Sequence, residues 1–174
     1  MDRLKWFDRK FDFSYTENIF PMILERLMGT PLRLTSKLKS IPPELLETKI
    51  DNSWSIKENI GHLTDLESLW QKRFDDIISG HEYMTPTDLA NNKTDLANHN
   101  RKPADELIRE FSVIRSETLS MLENIPEESI FRFSLHPRLK TPMRTMDLFL
   151  FVAEHDDHHL ARITAIEKQL RNSN

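Results

Sequence analysis

Residues 54–70 read WSIKENIGHLTDLESLW and contain the clearest helix start in the chain. Ser55 and Glu58 have the spacing of a capping box, in which each side chain accepts a hydrogen bond from the other residue's backbone N–H. Apolar residues then repeat every three or four positions, and Gly80 stands where a left-handed residue would follow the helix. The sequence therefore predicts a long amphipathic helix from Ile56 to Ser79.

Three further stretches carry the apolar spacing of amphipathic helices. They run from Ile19 to Ser40, from Pro103 to Ile125-Pro126, and from Pro142 toward Arg171. Pro31 is expected to kink or restart the first of them, because proline lacks the N–H donor that an inner turn needs. In the last helix Thr141 is expected to be the cap, and Pro142 to open the first turn.

Residues 81–102 form a polar stretch without a sustained apolar period. A helix of about 24 residues is about 36 Å long, and about 22 extended residues can span that length. We therefore expect a long crossover linker between the second and third helices, which lets these two helices run parallel. Glycine is scarce, with three in 174 residues, and this argues against Gly-rich nucleotide-binding folds and β-sandwiches. The fold class expected is an all-α four-helix bundle.

Length and composition limit the classes of protein and of site. The chain is expected to form one domain, residues 1–174. Its formal net charge of −4 argues against nucleic-acid binding. It contains no cysteine, so a metal would need nitrogen or oxygen ligands. The first residues lack a signal-peptide pattern and no apolar run has the length of a membrane span, so we expect a cytoplasmic protein.

Two histidines occupy core positions of the last predicted helix. His155 and His159 are four residues apart, so they share one face and lie about 6 Å apart along the helix axis. Buried imidazoles need polar partners, and a shared metal ion would supply one partner to each ring. The same spacing also fits two core histidines that bond to side chains or water. The pattern leaves both interpretations open.

A third histidine, His62, lies on the second predicted helix, on a face with Leu66 and Leu69 that can look into the bundle. A single histidine in such a position is more often structural than a ligand. His158 competes with its neighbours for the site, because it is three residues from His155. The remaining histidines fall in predicted loops, where we expect them to be solvated or to line an entrance: His81, His99 and His136.

Charged residues near these histidines could contribute to chemistry. Carboxylates could orient an imidazole or act as a general base, although for any one of them a helix-surface charge is the favoured interpretation. They are Glu58, Asp65, Glu67, Glu154, Asp156 and Asp157. Glu67 stands out because it lies between Leu63 and Trp70 on the apolar face of the second predicted helix. A segment without acidic residues could attract an anion or be a solvated loop, and its cations are Arg132, Arg138, Lys140 and Arg144.

Two motifs resemble those of DinB/YfiT-like proteins. Residues 54–70 resemble the pattern W-S-x-x-E-x-x-x-H-L-x-D-x-E of the second helix in that family. Residues 153–163, AEHDDHHLARI, resemble the H-x-x-x-H signature of its last helix. Residues 27–31 and 136–139 are similar as well, so the resemblance covers nearly the whole chain.

The resemblance implies a bundle with the helix order up-down-down-up. It also implies a divalent metal held by His62, His155 and His159. Proteins that resemble this family include transferases of small intracellular thiols, a mycothiol-dependent isomerase and proposed metal-dependent hydrolases. Many others have no assigned activity.

Three histidine ligands would leave coordination positions open, which is typical of a catalytic metal site. An ion there could activate water or a low-molecular-weight thiol, so we expect a metal-dependent enzyme of the hydrolase or thiol S-transferase type that acts on a small-molecule substrate. Zn, Ni, Fe, Mn and Cu are all admissible. The alternative is a non-enzymatic helical binding or assembly module with a structural or vestigial metal site. Apolar residues left over on the first helix also make a homodimer a reasonable expectation.

Overall fold

The computed structural model describes residues 6–173, except the side chain of Phe7. Residues 1–5, which belong to the segment that lacks a signal-peptide pattern, lie outside the described residues. The helices and strands are, in chain order, α1 (Phe20–Ser40), α2 (Ile56–Ile78), α3 (Asn92–Leu96), α4 (Ala104–Leu122), α5 (Glu127–Phe131), β1 (Phe133–Leu135), β2 (Pro142–Arg144) and α6 (Thr145–Ser173). Between residues 6 and 173, no helix combines the length and hydropathy of a membrane-spanning segment.

Four long helices form the bundle, in which α1 and α2 each pack against both α4 and α6. Side-chain contacts give the helix directions. Residue numbers of contacting pairs rise together in both helices where two helices run parallel. This holds for α1 and α6 (Arg26–Asp157 and Lys37–Thr164) and for α2 and α4 (Glu67–Arg115 and Gln71–Thr118). Between α2 and α6 the numbers rise in one helix and fall in the other (Asn59–His159 and Phe74–Phe149), so these helices are antiparallel. The order is therefore up-down-down-up, and the predicted four-helix bundle is confirmed.

The ends of α2 follow the sequence pattern closely. The Ser55 side chain accepts from the Glu58 backbone N–H, and the Glu58 side chain accepts from the Ser55 N–H, so the capping box is present. Gly80 has a φ of 73°, which is the left-handed conformation that glycine adopts without strain. In α1 the helix continues through Pro31 and does not restart there.

Residues 79–103 lie along α2 and carry short helices of their own. Their contacts step back along α2 from near its end to its start: Thr85 with Asp76, Thr94 with Asp65, and Asn100 with Ser55. The segment thus brings Thr94 and His99 against the middle of α2, beside the candidate site.

The predicted start of the last helix at Thr141-Pro142 is wrong. Residues 142–144 form β2, which pairs antiparallel with β1, and α6 begins at Thr145. A turn with Lys140 in the left-handed conformation joins the strands, and Pro142 stands at the end of the pairing, where its missing N–H costs little. The Asp147 carboxylate then accepts the Arg144 backbone N–H and its guanidinium, which stabilises the new helix start.

The bundle core is divided along its axis into two apolar clusters with a polar layer between them. One cluster includes Leu27, Trp70 and Val152, and the other includes Leu34, Leu63 and Leu160. Residues that fall between these levels on every long helix are buried and polar. They are Thr30 on α1, Glu67 on α2, Arg115 and Thr118 on α4, and Asp156 on α6.

Arg115 is the centre of this layer. Its guanidinium donates to Glu67 Oε1 and to Asp156 Oδ2, each at 2.6 Å, and to the Leu27 carbonyl at 3.3 Å. Burial lowers the pKa of Arg115, but the charges of Asp156 and Glu67 outweigh that effect and hold it above its ordinary value. Burial also raises the pKa of Glu67. One cation therefore links all four long helices.

Replacing Arg115 by methionine should lower the free energy of unfolding by about 3–5 kcal/mol, because two buried carboxylates lose their partner. Urea denaturation followed by circular dichroism measures the change. The matched control is Arg109→Met on the exposed side of α4, with an expected change within about 0.5 kcal/mol. A loss below about 1 kcal/mol for Arg115→Met would contradict the role of this ion cluster.

Candidate metal centre

Three buried histidines converge between α2 and α6, next to the polar layer. His62 on α2 and His155 and His159 on α6 each offer a nitrogen that lies within 4.8 Å of those of the other two. The His155 Nε2 and His159 Nε2 atoms are 3.2 Å apart. Two nitrogens bound tetrahedrally to zinc at 2.0–2.1 Å would be separated by about 3.3 Å. The spacing therefore fits two ligands of one ion.

Helix geometry accounts for this convergence. His155 and His159 are one turn apart on α6, so both rings leave the same face. Because α2 runs antiparallel to α6, His62 faces this turn, with its ring centroid 5.3 Å from His155 and 4.8 Å from His159. His158, the competing histidine, is half-buried, and its ring packs against Trp6 outside the cluster of three.

Hydrogen bonds orient two of the three imidazoles. The His159 Nδ1–H donates to Asn59 Oδ1 at 2.9 Å, and the Asn59 amide nitrogen donates to the Ser55 carbonyl. The Thr94 hydroxyl donates to Asp65 Oδ2, so its oxygen accepts from His62 Nδ1–H, each at 2.9 Å. Both rings therefore keep Nε2 unprotonated, with its lone pair available to a ligand.

His155 carries the observation that tests whether a metal fits. Among the described residues its buried Nδ1 has no hydrogen-bond partner, and its Nε2 faces the Nε2 of His159. If His155 carries its proton on Nδ1, two lone pairs face each other. A cation between the two Nε2 atoms would satisfy both lone pairs. Three neutral nitrogens without a thiolate suit a borderline divalent ion, so the residues fit such a metal.

Burial keeps these histidines neutral. Desolvation lowers the pKa of His62 to about 4 and the pKa values of His155 and His159 well below the ordinary value. Neutral imidazole is the form that binds a metal, so no proton has to be displaced near pH 7.

The carboxylates that the sequence placed near the histidines contact other groups. Glu58 caps α2, and Glu67 and Asp156 bind Arg115. Glu154 and Asp157 pair with arginines on the outside of α1 and the N-terminal segment. Of the six, Asp65 supports a site histidine, through the Thr94 hydroxyl. Sequence reasoning missed Asn59 and Thr94, because neutral side chains give no signal without their partners.

The expectation that His99 is solvated is wrong. His99 is buried, and its Nε2 bonds Asp65 Oδ2 at 2.8 Å. Its ring lies against α2 at Gly61, where a Cβ would come within 2.2 Å of the ring. A glycine in the middle of a strong helix was the available signal for this close approach.

A cavity of about 840 Å³ reaches the three histidines. Its walls include aromatic rings, among them Trp54, Trp70 and Phe151. Residues of the β1–β2 turn also line the cavity. One of them is His136, which is half-buried, and this agrees with the expectation that it lines an entrance. The cations in the lining are Arg9, Arg73, Arg138 and Arg162, and the carboxylate in the lining is Asp88.

Known proteins resemble this chain in sequence pattern and in fold. A family model described as the DinB superfamily matches residues 27–163. A similar solved structure is YfiT from Bacillus subtilis, described as a probable metal-dependent hydrolase with an unusual four-helix bundle topology. The two structures agree with a TM-score of 0.79 over 93% of each chain at 19% sequence identity. This likeness shows the fold. No curated protein matches the sequence.

Replacing Thr94 by valine should weaken the binding of zinc by about 10- to 100-fold, because the His62 ring loses the oxygen that orients it. Competition with a chromophoric chelator measures the affinity. The matched control is Thr64→Val, since the Thr64 hydroxyl has no hydrogen-bond partner among the described residues. Equal affinities in the two variants would refute the orienting role of Thr94.

The metal-free protein should lose stability as the pH falls from about 6.5 toward about 4. In that range the unfolded state binds a proton at His62, whereas the folded state does not, so the free energy of unfolding decreases with decreasing pH. Urea denaturation of chelator-treated protein at several pH values measures the slope. His62→Gln should show a shallower slope, and an unchanged slope would contradict this assignment.

Proposed function

This chain belongs to the DinB superfamily, and from that membership and the three converging imidazoles we propose that it is a metal-dependent enzyme acting on a small molecule, with one divalent ion held by His62, His155 and His159. The observation that carries the proposal is the meeting of three buried, neutral nitrogens from two helices at the wall of a cavity.

The donor set favours a catalytic role over a structural one. Three protein ligands leave at least one coordination position for a substrate, whereas structural zinc sites are closed by four protein ligands. The cavity gives a small molecule access to that position. Zn, Ni, Fe and Mn are all compatible with imidazole ligands.

When bound, a divalent ion supplies Lewis acidity, which polarises a carbonyl or phosphoryl oxygen and lowers the pKa of water. The chain supplies the rest. Asn59 and the Thr94–Asp65 pair hold the ring orientations of His159 and His62. Trp54 packs against the His62 ring with centroids 4.6 Å apart and limits its movement. The aromatic walls exclude water around the substrate.

Hydrolysis is the reaction class that we favour, in keeping with the description of YfiT as a probable metal-dependent hydrolase. Transfer of a low-molecular-weight thiol would use the same ion to lower the pKa of a thiol in place of water. The non-enzymatic alternative, a binding or assembly module, predicts that the metal-loaded protein turns over neither class of substrate.

Protein purified without chelator or immobilised metal should contain about one divalent ion per chain by elemental analysis, and His62→Ala, His155→Ala and His159→Ala should each lose it. His158→Ala is the matched control, because this histidine lies on α6 and lines the cavity outside the cluster. Hydrolysis of an ester and amide panel should disappear together with the metal. Unchanged metal content in all three alanine variants would contradict the proposal.

A thiol and electrophile panel assayed in parallel separates the two reaction classes. A fully metal-loaded protein that is silent in both panels would contradict the enzyme and support the binding module.

A further inference from the structure

Arg73 is a buried cation on the cavity wall. It lies on α2 with 2% of its surface exposed, and it lines the cavity that reaches the three histidines. Its Nε donates to the Thr85 carbonyl at 2.9 Å, and its guanidinium carbon lies 5.5 Å from the centroid of the Trp70 ring. These two contacts fix the position of the side chain.

The guanidinium of Arg73 forms no ion pair with the residues that the structure describes. Among the described residues its buried Nη2 has no hydrogen-bond partner, and no carboxylate forms an ion pair with it. Asp76 is one turn away and its charge raises the pKa of Arg73, but its oxygens accept from Thr85 and pair with His81 and Lys72. Burial lowers the pKa of Arg73 to about 10, so the group is still charged at neutral pH.

Burying an arginine without an ion-pair partner costs free energy. Another buried arginine of the described residues does not bear this cost. Arg115, which is buried to the same degree, binds two carboxylates. Residues that keep an unpaired buried charge commonly do so where a ligand supplies the opposite charge. Because Arg73 lines the cavity, an anionic ligand bound in the cavity would supply that opposite charge.

His136 adds a hydrogen-bond donor to the same cavity. Its Nδ1 accepts the backbone N–H groups of Arg138 and Leu139 at 3.3 and 3.2 Å, so the neutral ring carries its proton on Nε2. Burial, followed by the charge of Arg73, lowers the pKa of His136 to about 4. Both side chains line the same cavity, and the Met84 N–H donates to the Leu135 carbonyl at 3.0 Å, so the chain next to Thr85 is bonded to the chain next to His136.

The distance from Arg73 to the histidine cluster suits a small substrate. The Trp70 ring contacts both groups, with the Arg73 guanidinium 5.5 Å and the His155 ring 5.9 Å from it. Arg73 and His155 are therefore at most the sum of these distances apart, 11.4 Å. A molecule with an anionic end and an apolar middle could bind both places.

We propose that Arg73, with His136 beside it, binds an oxyanion of the substrate, a carboxylate or a phosphate, and holds the reacting bond toward His62, His155 and His159. This inference rests on the proposed function, because it takes the anion to belong to the molecule that reacts at the three histidines. The aromatic walls suit an apolar group between the two ends.

Calorimetric titration of the chelator-treated protein tests the subsite without interference from a metal. The probes are phenylacetate, phenyl phosphate and the neutral analogue phenylacetamide. At least one anion should bind about tenfold or more tightly than phenylacetamide. Arg73→Gln should remove this preference, and the anion that binds more tightly identifies the carboxylate or the phosphate class. Equal binding of all three probes would overturn the proposal.

Two further variants make the result specific. Arg138→Gln removes the same charge from an exposed position on the cavity lining and should change anion affinity by less than about twofold. Arg73→Lys keeps the charge without the planar guanidinium and should bind the anion at an intermediate affinity. Anion binding by Arg73→Lys as weak as that of Arg73→Gln would overturn the charge requirement.

Stability separates a binding role from a structural one. Without an anion, Arg73→Gln should melt at a temperature equal to or above that of the parent, because it removes a buried unpaired charge. A lower melting temperature together with lost binding would overturn the proposal in favour of a structural arginine.

The outcome is independent of the metal site. If the metal-free protein binds the anion and Arg73→Gln abolishes that binding, the subsite is supported even if elemental analysis finds no metal. Anion binding that needs the metal, with none in the chelator-treated protein, would overturn the subsite and leave the three-histidine site intact.

Discussion

The ion cluster of Arg115 with Glu67 and Asp156 holds the four long helices at one level. Each long helix contributes a group to it, including the Leu27 carbonyl and the Thr30 hydroxyl of α1. The cluster lies between two apolar clusters, so removing one partner would leave an opposite charge buried without compensation. Because Asp156 follows His155 directly, the bond to Arg115 also fixes the rotation of α6 that turns His155 and His159 toward α2.

The polar layer and the three histidines next to it thus form two sets of buried polar groups with different electrostatics. In the polar layer, the charge of Arg115 is compensated by Glu67 and Asp156. Next to this layer, three histidines are kept neutral by burial, and Asn59 and Thr94 determine which nitrogen each oriented ring offers. Neutral rings beside a compensated ion cluster form a site that can accept a cation without first losing protons. Arg73 differs from both sets, since among the described residues its Nη2 has no hydrogen-bond partner and no carboxylate forms an ion pair with it.

Local patterns in the sequence predicted the features that residues near one another in the chain determine, which are helix ends and helix faces. The capping box at Ser55 and the glycine at position 80 located α2, and helical spacing placed His155 and His159 on one face. The β1–β2 pairing was missed because it joins two strands of three residues each, across a connection that contains no glycine and no two-residue hairpin signal. The burial of His99 depends on the path of residues 79–103 over Gly61, which no periodicity encodes. Ion pairing of Glu67 was hidden for the same reason, since its partner lies on α4.

The proposed function requires that three imidazoles hold one ion and leave a coordination position open. X-ray absorption spectroscopy of protein loaded with one equivalent of zinc measures this coordination, because imidazole rings give a characteristic scattering pattern. We expect three imidazole nitrogens at about 2.0–2.1 Å and one further light ligand that exchanges when an anion is added. A shell with fewer than three imidazoles, or a closed shell of four protein ligands, would contradict it.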